Sequence, residues 1–178
     1  MHARLRHALH NAQGKKRSIM VDDVSKAFDH VHLGQALAIL LSVGIALSLL
    51  CLIFVLYLQL RRVFQLDGCI TSQWYCGKHG IAQGCPCSPM LLAAIMFLWS
   101  RYFERHCGLP HGVYVDDRCW WDSGPRAAHN VAAARAVAVI PDRVFGFVLT
   151  SKAQALGTSA ATRATLRSLR PDTIPVVL

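Results

Sequence analysis

Charged side chains are scarce in this chain: Asp, Glu, Lys and Arg supply 16% of the 178 residues, against 53% apolar. That balance excludes a disordered polymer and suffices for one compact domain with a sizeable core. No CxxC pair occurs among the seven cysteines, at positions 51, 69, 76, 85, 87, 107 and 119, and no charge-then-apolar secretory pattern opens the sequence. An odd set without such spacing reads as reduced, intracellular thiols rather than a disulfide framework. Cys85-Pro86-Cys87 and His30-Val31-His32 come nearest to ligand pairs, and neither has zinc-site spacing. Internal repeats are also lacking.

Negative charge is the other shortage. Ten acids stand against 19 Lys and Arg, giving a formal charge of +9 and a pI near 9.6. Such an excess favours a polyanionic partner, either nucleic acid or an anionic membrane surface, and charge alone does not choose between them. Most of it lies at the ends, in Arg4, Arg6, Lys15, Lys16 and Arg17 and in Arg163, Arg167 and Arg170. A solvated arm explains those residues equally well.

What is present in quantity is one apolar stretch. From Leu33 to Leu60 no charge interrupts 28 residues, between Asp29 and Arg61-Arg62. By hydropathy this is a candidate membrane span. The competing reading is a pair of buried helices broken near Ser42-Val43-Gly44. A single span would put Asp23 and Asp116 on opposite sides of a bilayer, and Met90 to Trp99 is too short to cross back.

Local signals give an element order. Ser18-Ile19-Met20-Val21 predicts a short strand, followed by helices over roughly 26–42 and 45–61. Asp67-Gly68 predicts a two-residue hairpin turn, with its second strand running from Cys69 to about Cys76. Ser88-Pro89 supplies an N-cap and a proline at N1 for a helix reaching about His106. A second hairpin has arms His111–Val115 and Arg118–Asp122. An alanine-rich helix should end at Pro141, a last strand should start near Lys152, and the tail beyond Gly157 shows only weak periodicity. This order predicts an α+β fold, an antiparallel sheet with helices packed on one face.

The acids are few but concentrated. Asp116-Asp117 sits at the tip of the second hairpin, where adjacent carboxylates repel unless a cation lies between them. On its own the dipeptide also reads as an ordinary polar turn. Asp22-Asp23 closes the first strand, and Gly80-Ile81-Ala82-Gln83-Gly84-Cys85-Pro86-Cys87-Ser88-Pro89 lies between the two clusters. Carboxylates converging from separate parts of a chain are what two-metal phosphoryl chemistry requires.

Taken in order, Asp23-Val24-Ser25-Lys26-Ala27-Phe28-Asp29, the Gly80–Pro89 segment and Tyr114-Val115-Asp116-Asp117 resemble motifs A, B and C of the reverse transcriptase palm, most closely that of non-LTR retrotransposons. The resemblance covers about residues 18–157. It implies an RNA-directed DNA polymerase that transfers nucleotides from dNTP to a primer 3′-hydroxyl on an RNA template. Two Mg²⁺ ions, or Mn²⁺, would be held by Asp23, Asp116 and Asp117. Phe28 matches the aromatic under the incoming sugar that excludes a 2′-hydroxyl. Gln83 and Gly84 match the loop against the incoming nucleotide and template, and Lys152 matches the lysine beside the pyrophosphate leaving group.

The match departs from the family in two respects. Asp22 stands where an apolar residue is usual, although alternation and the Ser-Lys-Ala-Phe register favour Asp23 as the ligand. Only 17 residues, five of them Lys or Arg, precede the strand that leads into motif A, and no thumb is evident. The expectation is therefore a fragment or decayed copy, with a fingers remnant over 1–17, a palm over 18–157 and an unassigned tail over 158–178. Its setting would be nuclear or cytoplasmic. The rivals are a small membrane protein anchored by residues 33–60 and a catalytically dead nucleic-acid-binding remnant.

Overall fold

The computed structural model describes residues 17–63, 65–74, 77, 79–150, 153–169 and 176–177. The basic lead-in before Arg17, Cys76, Lys152 and Arg170 fall outside them. The chain divides into two compact units, one formed by residues 1–25 and 98–178, the other by 26–97.

The first unit is built on a sheet whose central strand, β1 (Arg17–Ser25), is buried along most of its length. β1 pairs antiparallel on one side with β5 (Asp117–Ser123), which forms a hairpin with β4 (His111–Tyr114). On its other side β1 pairs antiparallel with both β6 (Val148–Leu149) and β7 (Gln154–Gly157). β8 (Val176–Val177) adds to β7 in parallel, among the described residues the one departure from an antiparallel sheet.

Alternation decides which residues of β1 see the core. Met20 registers with Trp120 on one side and Ala155 on the other, and all three are fully buried. Packed against that face are Trp99 and Phe103 from α4 (Ser88–Cys107), Val131 and Ala138 from α5 (Ala127–Phe145), and Leu166 from α6 (Ala160–Ser168). The α+β arrangement with helices on one sheet face follows. Both core indoles keep their hydrogen bonds. Trp120 Nε1 donates to the Val131 carbonyl at 3.0 Å, and Trp99 Nε1 to that of Ala138 at 3.1 Å.

Three expectations for this unit need correction. The alanine-rich helix does not stop at Pro141 but runs on to Phe145, capped by Gly146. Proline deprives only the Val137 carbonyl of its usual partner, and Asp142, held from the sheet by Arg118, keeps the next turn in place. The strand expected near Lys152 is β7, starting at Gln154, but an unexpected strand, β6, precedes it and ends before residue 150. The tail contains α6, whose first turn is capped where the Ser159 hydroxyl accepts from the Thr162 N–H at 3.1 Å.

In the second unit, α1 (Ala27–His30) is separated by Val31-His32 from α2 (Leu33–Ser42), so the expected single helix over 26–42 is two. α3 (Leu47–Leu58) follows after a break at residues 43–46, near the expected Ser42-Val43-Gly44. No helix among the described residues is long and apolar enough to cross a membrane. The expectation that both helices are buried holds for one stripe only. Leu50 and Ile53 of α3 are buried, whereas Leu47, Leu52 and Leu58 are at least 60% exposed. A helix that is apolar all round can turn only one side toward one neighbour.

β2 (Gln65–Leu66) and β3 (Cys69–Ile70) are joined by Asp67-Gly68 with φ of +49° and +80°, the left-handed pair that the dipeptide predicts. β3 is much shorter than the expected strand to Cys76; residues 71–74 are irregular. Ser88 opens α4 on schedule, but its hydroxyl does not cap. It donates instead to the Ala82 carbonyl at 2.5 Å.

Candidate active site

The β4–β5 hairpin closes at the pair Tyr114–Asp117, which leaves Val115 and Asp116 as a two-residue turn. Val115 has φ +60°, a left-handed value that a β-branched residue adopts at a cost of about 1–3 kcal/mol. Strain of this kind persists only where the surroundings impose it, and it collects at functional sites. Tyr114 beside it is 70% exposed.

Register then brings the second acid opposite the first cluster. Asp23 of β1 faces Asp117 of β5, and the Val24 N–H donates to the Asp116 carbonyl at 3.4 Å. Because hydrogen-bonded and non-hydrogen-bonded pairs alternate, Asp23 and Asp117 form the non-bonded kind, with Cα atoms about 4.5 Å apart and side chains on one face. Asp116 follows at the turn, one residue earlier in the chain. Like charges placed directly opposite are destabilising by themselves. On its other side, Asp23 accepts a hydrogen bond from the Thr150 hydroxyl at 3.2 Å, and its carbonyl accepts from the Thr150 N–H at 2.9 Å. Thr150 therefore orients Asp23 twice over. Nothing in the sequence marked it, since the contact spans 127 positions.

Asp22 lies on the opposite face. It is fully buried, in register with Arg118, and its carboxylate is 4.0 Å from Arg135 Nε. Arg118, also fully buried, forms a two-pronged ion pair with Asp142, one prong at 3.0 Å, while its guanidinium rests 4.6 Å from the Trp99 ring centre. Burial pushes the Asp142 carboxyl above its usual range, and Arg118 offsets part of that push. Asp22 is thus committed to the helix-covered side, and of the two neighbours Asp23 is the one on the face of Asp117. The sequence did carry a signal for the buried clamp: an arginine inside the apolar run after Asp117, and a lone aspartate after Pro141.

Among the described residues, no group of three or more His, Cys, Asp or Glu side chains is gathered closely enough to cage a metal ion. The donor set still fits one class of ion. Magnesium is commonly bound by one or two carboxylates, with waters and substrate phosphates completing its shell. Asp23 and Asp117 are such a pair, with Asp116 adjoining.

Phe28, Gln83 and Gly84 belong to the second unit. Phe28 is half-buried on α1, and Gln83 and Gly84 are exposed in the loop before α4. That loop is fastened to the end of motif A: Ile81 N–H donates to the Phe28 carbonyl at 2.8 Å, and Gly80 N–H to that of Val31 at 3.2 Å. Gly80 has φ +81°, and a Cβ there would lie 3.0 Å from the Asp29 Cα and carbonyl oxygen. Only glycine allows this approach. Lys152 lies outside the described residues.

The family model for reverse transcriptase (RNA-dependent DNA polymerase) matches residues 1–137, about three quarters of the chain. The chain belongs to this family. The match extends over the basic lead-in as well as all three motifs, and it ends within α5 of the reverse transcriptase fold. No curated protein is significantly similar to this reverse transcriptase chain.

Proposed function

We propose that this chain is the palm of an RNA-directed DNA polymerase of the non-LTR retrotransposon type, extending a primer 3′-hydroxyl with dNTPs on an RNA template. The observation that carries the reading is the cross-strand register of Asp23 with Asp117, beside a strained turn that contains Asp116, in a member of the reverse transcriptase family. Asp23, Asp116 and Asp117 would hold two Mg²⁺ or Mn²⁺ ions, which in such sites activate the attacking oxygen and stabilise the leaving one. Thr150 fixes the orientation of Asp23 through one carboxylate oxygen. Phe28 is assigned the sugar-discriminating position, Gln83 and Gly84 the contact with nucleotide and template, and Lys152 the leaving pyrophosphate. On this reading residues 1–17 belong to fingers, 18–157 to the palm and 158–178 to an appendix of unassigned role.

Primer extension on poly(A)/oligo(dT) with Mg²⁺ or Mn²⁺ tests the proposal directly. Wild-type protein is expected to incorporate dTTP, and Asp116→Asn to lose incorporation while retaining its fold. Equal incorporation by the two proteins, or none by a folded wild type, would overturn the reading in favour of a nucleic-acid-binding remnant.

A further inference from the structure

Seven cysteines take no part in the proposed chemistry, and two of them share one turn. We propose that Cys85 and Cys87 form an accessible dithiol that closes into an intraloop disulfide by exchange with a low-molecular-weight disulfide, Cys85 providing the attacking sulfur. The inference concerns the loop before α4 and does not depend on whether the chain polymerises.

The backbone brings the two thiols together. Cys85 N–H donates to the Ala82 carbonyl at 3.2 Å, and the Cys85 carbonyl accepts from the Ser88 N–H at 3.0 Å, closing a turn over residues 85–88 with Pro86 at its second position. In such a turn the first and third Cα atoms fall inside the roughly 4.4–6.8 Å window of disulfides. Both are half-buried free thiols open to a small reagent.

A hydroxyl relay distinguishes the pair. Tyr57 Oη is 2.7 Å from Ser88 Oγ, and Ser88 gives its own proton to the Ala82 carbonyl, so Tyr57 is the donor between them. The same Tyr57 hydroxyl reaches Cys85, and its proton can turn to that sulfur when the sulfur is ionised. Burial, reinforced by Cys85, pushes the Tyr57 hydroxyl up to about 12, so it remains a donor wherever thiols ionise. Its hydrogen bond draws the Cys85 thiol down, whereas burial and the neighbouring Cys85 push Cys87 up. The more ionised thiol attacks first, and the less ionised one resolves.

The exchange balances without another reductant or oxidant. The Cys85 thiolate attacks one sulfur of a disulfide such as oxidised glutathione; a Cys85–S bond forms, the reagent S–S bond breaks, and one thiolate leaves. Cys87 then gives its proton to solvent and attacks the Cys85 sulfur, expelling the second thiolate. Two protein thiols are oxidised and one external disulfide is reduced to two thiols. Burial raises the Cys107 and Cys119 thiols, so they are poor competitors.

The test exposes the reduced full-length chain to oxidised glutathione and reads intact mass and alkylation-mapped peptides. Wild-type protein is expected to lose two hydrogens, with Cys85 and Cys87 protected together, and Cys87→Ser to stop at a single glutathionyl group on Cys85. Tyr57→Phe should slow Cys85 several-fold relative to the exposed Cys69 of the same molecule. A wild type that accumulates glutathionyl groups without closing the pair overturns the proposal. So does a Cys85 that reacts no faster than Cys69, and neither result depends on a variant folding.

Discussion

Replacing Asp142 with alanine should be among the most damaging single changes available to the sheet unit, and its size can be worked from the geometry. The Arg118 side chain has no exposure and that of Asp142 only 3%. Arginine cannot shed its proton in a protein. Asp142→Ala therefore leaves the buried Arg118 cation without its two-pronged carboxylate partner, and breaking such a pair from one side costs about 3–5 kcal/mol. Against a domain stability of roughly 5–15 kcal/mol, that is about a fifth of the whole at the least. With a urea slope of about 2 kcal/mol/M, the midpoint should fall by roughly 2 M. The assay is urea unfolding followed by tryptophan fluorescence, for which Trp99 and Trp120 are buried reporters.

A control separates the pair from its packing. In Arg118→Met with Asp142→Leu both charges go, and most of the lost stability should return, because apolar replacement of a buried pair is commonly neutral or better. The pH dependence has a definite sign. Burial raises the folded Asp142 carboxyl above its ordinary 3.8, so the folded state binds more proton in the window above that value and net stability falls as pH rises from it through the folded one. The stability difference between wild type and Asp142→Asn should therefore shrink with rising pH across that window. A loss under about 1 kcal/mol for Asp142→Ala, or a double variant no more stable than the single, would refute the reasoning.

The remaining predictions concern the motifs themselves. Gly80→Ala should cost about 2–3 kcal/mol, since it combines a left-handed φ with a Cβ against the Asp29 backbone; Gly84→Ala, at φ +87° with open space around it, should cost only about 1–2 kcal/mol. Urea midpoints for the two variants check the ranking. Val115→Gly relieves a left-handed β-branched residue and should raise the melting temperature; a fall would show that φ +60° carries no strain there. Asp117→Asn removes a like charge opposite Asp23 and should stabilise the metal-free protein by about 0.2–1 kcal/mol; on the proposed reading Mg²⁺ should raise the melting temperature of the wild type and not that of Asp117→Asn. An equal Mg²⁺ response in both would remove Asp117 from the ion site.

Much of the architecture was legible because it rests on short-range chemistry. Asp67-Gly68 adopts two positive φ angles because that dipeptide tolerates them, and the break between α2 and α3 falls where Gly44 stands. The hairpin tip at Asp116 could be placed from the polar interruption between two apolar arms. What escaped depends on partners distant in the chain. Proline at 141 signals a helix end locally, yet α5 continues because Arg118 reaches across from the sheet to Asp142. Ser88 looks like a cap from its neighbours, but Tyr57 and the Ala82 carbonyl claim its hydroxyl. α6 was missed because Arg163, Arg167 and several threonines dilute an apolar stripe in which only Leu166 is both large and fully buried.

The acids of β1 and β5 show how one strand can serve two opposed demands. Successive side chains point to opposite faces, so Asp22-Asp23 and Asp117-Arg118 each place one member under the helices and one on the other side of the sheet. On the covered face Asp22 and Arg118 meet Arg135 and Asp142, where charge is tolerable only when paired. On the other face Asp23 and Asp117 share a sign, an arrangement that favours binding of a cation over stability of the empty strand pair. The buried clamp and the facing acids are consecutive residues, so the position of each carboxylate is tied to the helices through the peptide bond to its neighbour. Slipping β5 by one residue along β1 would exchange the two faces, burying Asp117 and exposing Arg118, and both the ion pair and the acid pair would be lost together. The same contacts that stabilise the sheet thereby specify the register on which the proposed chemistry depends.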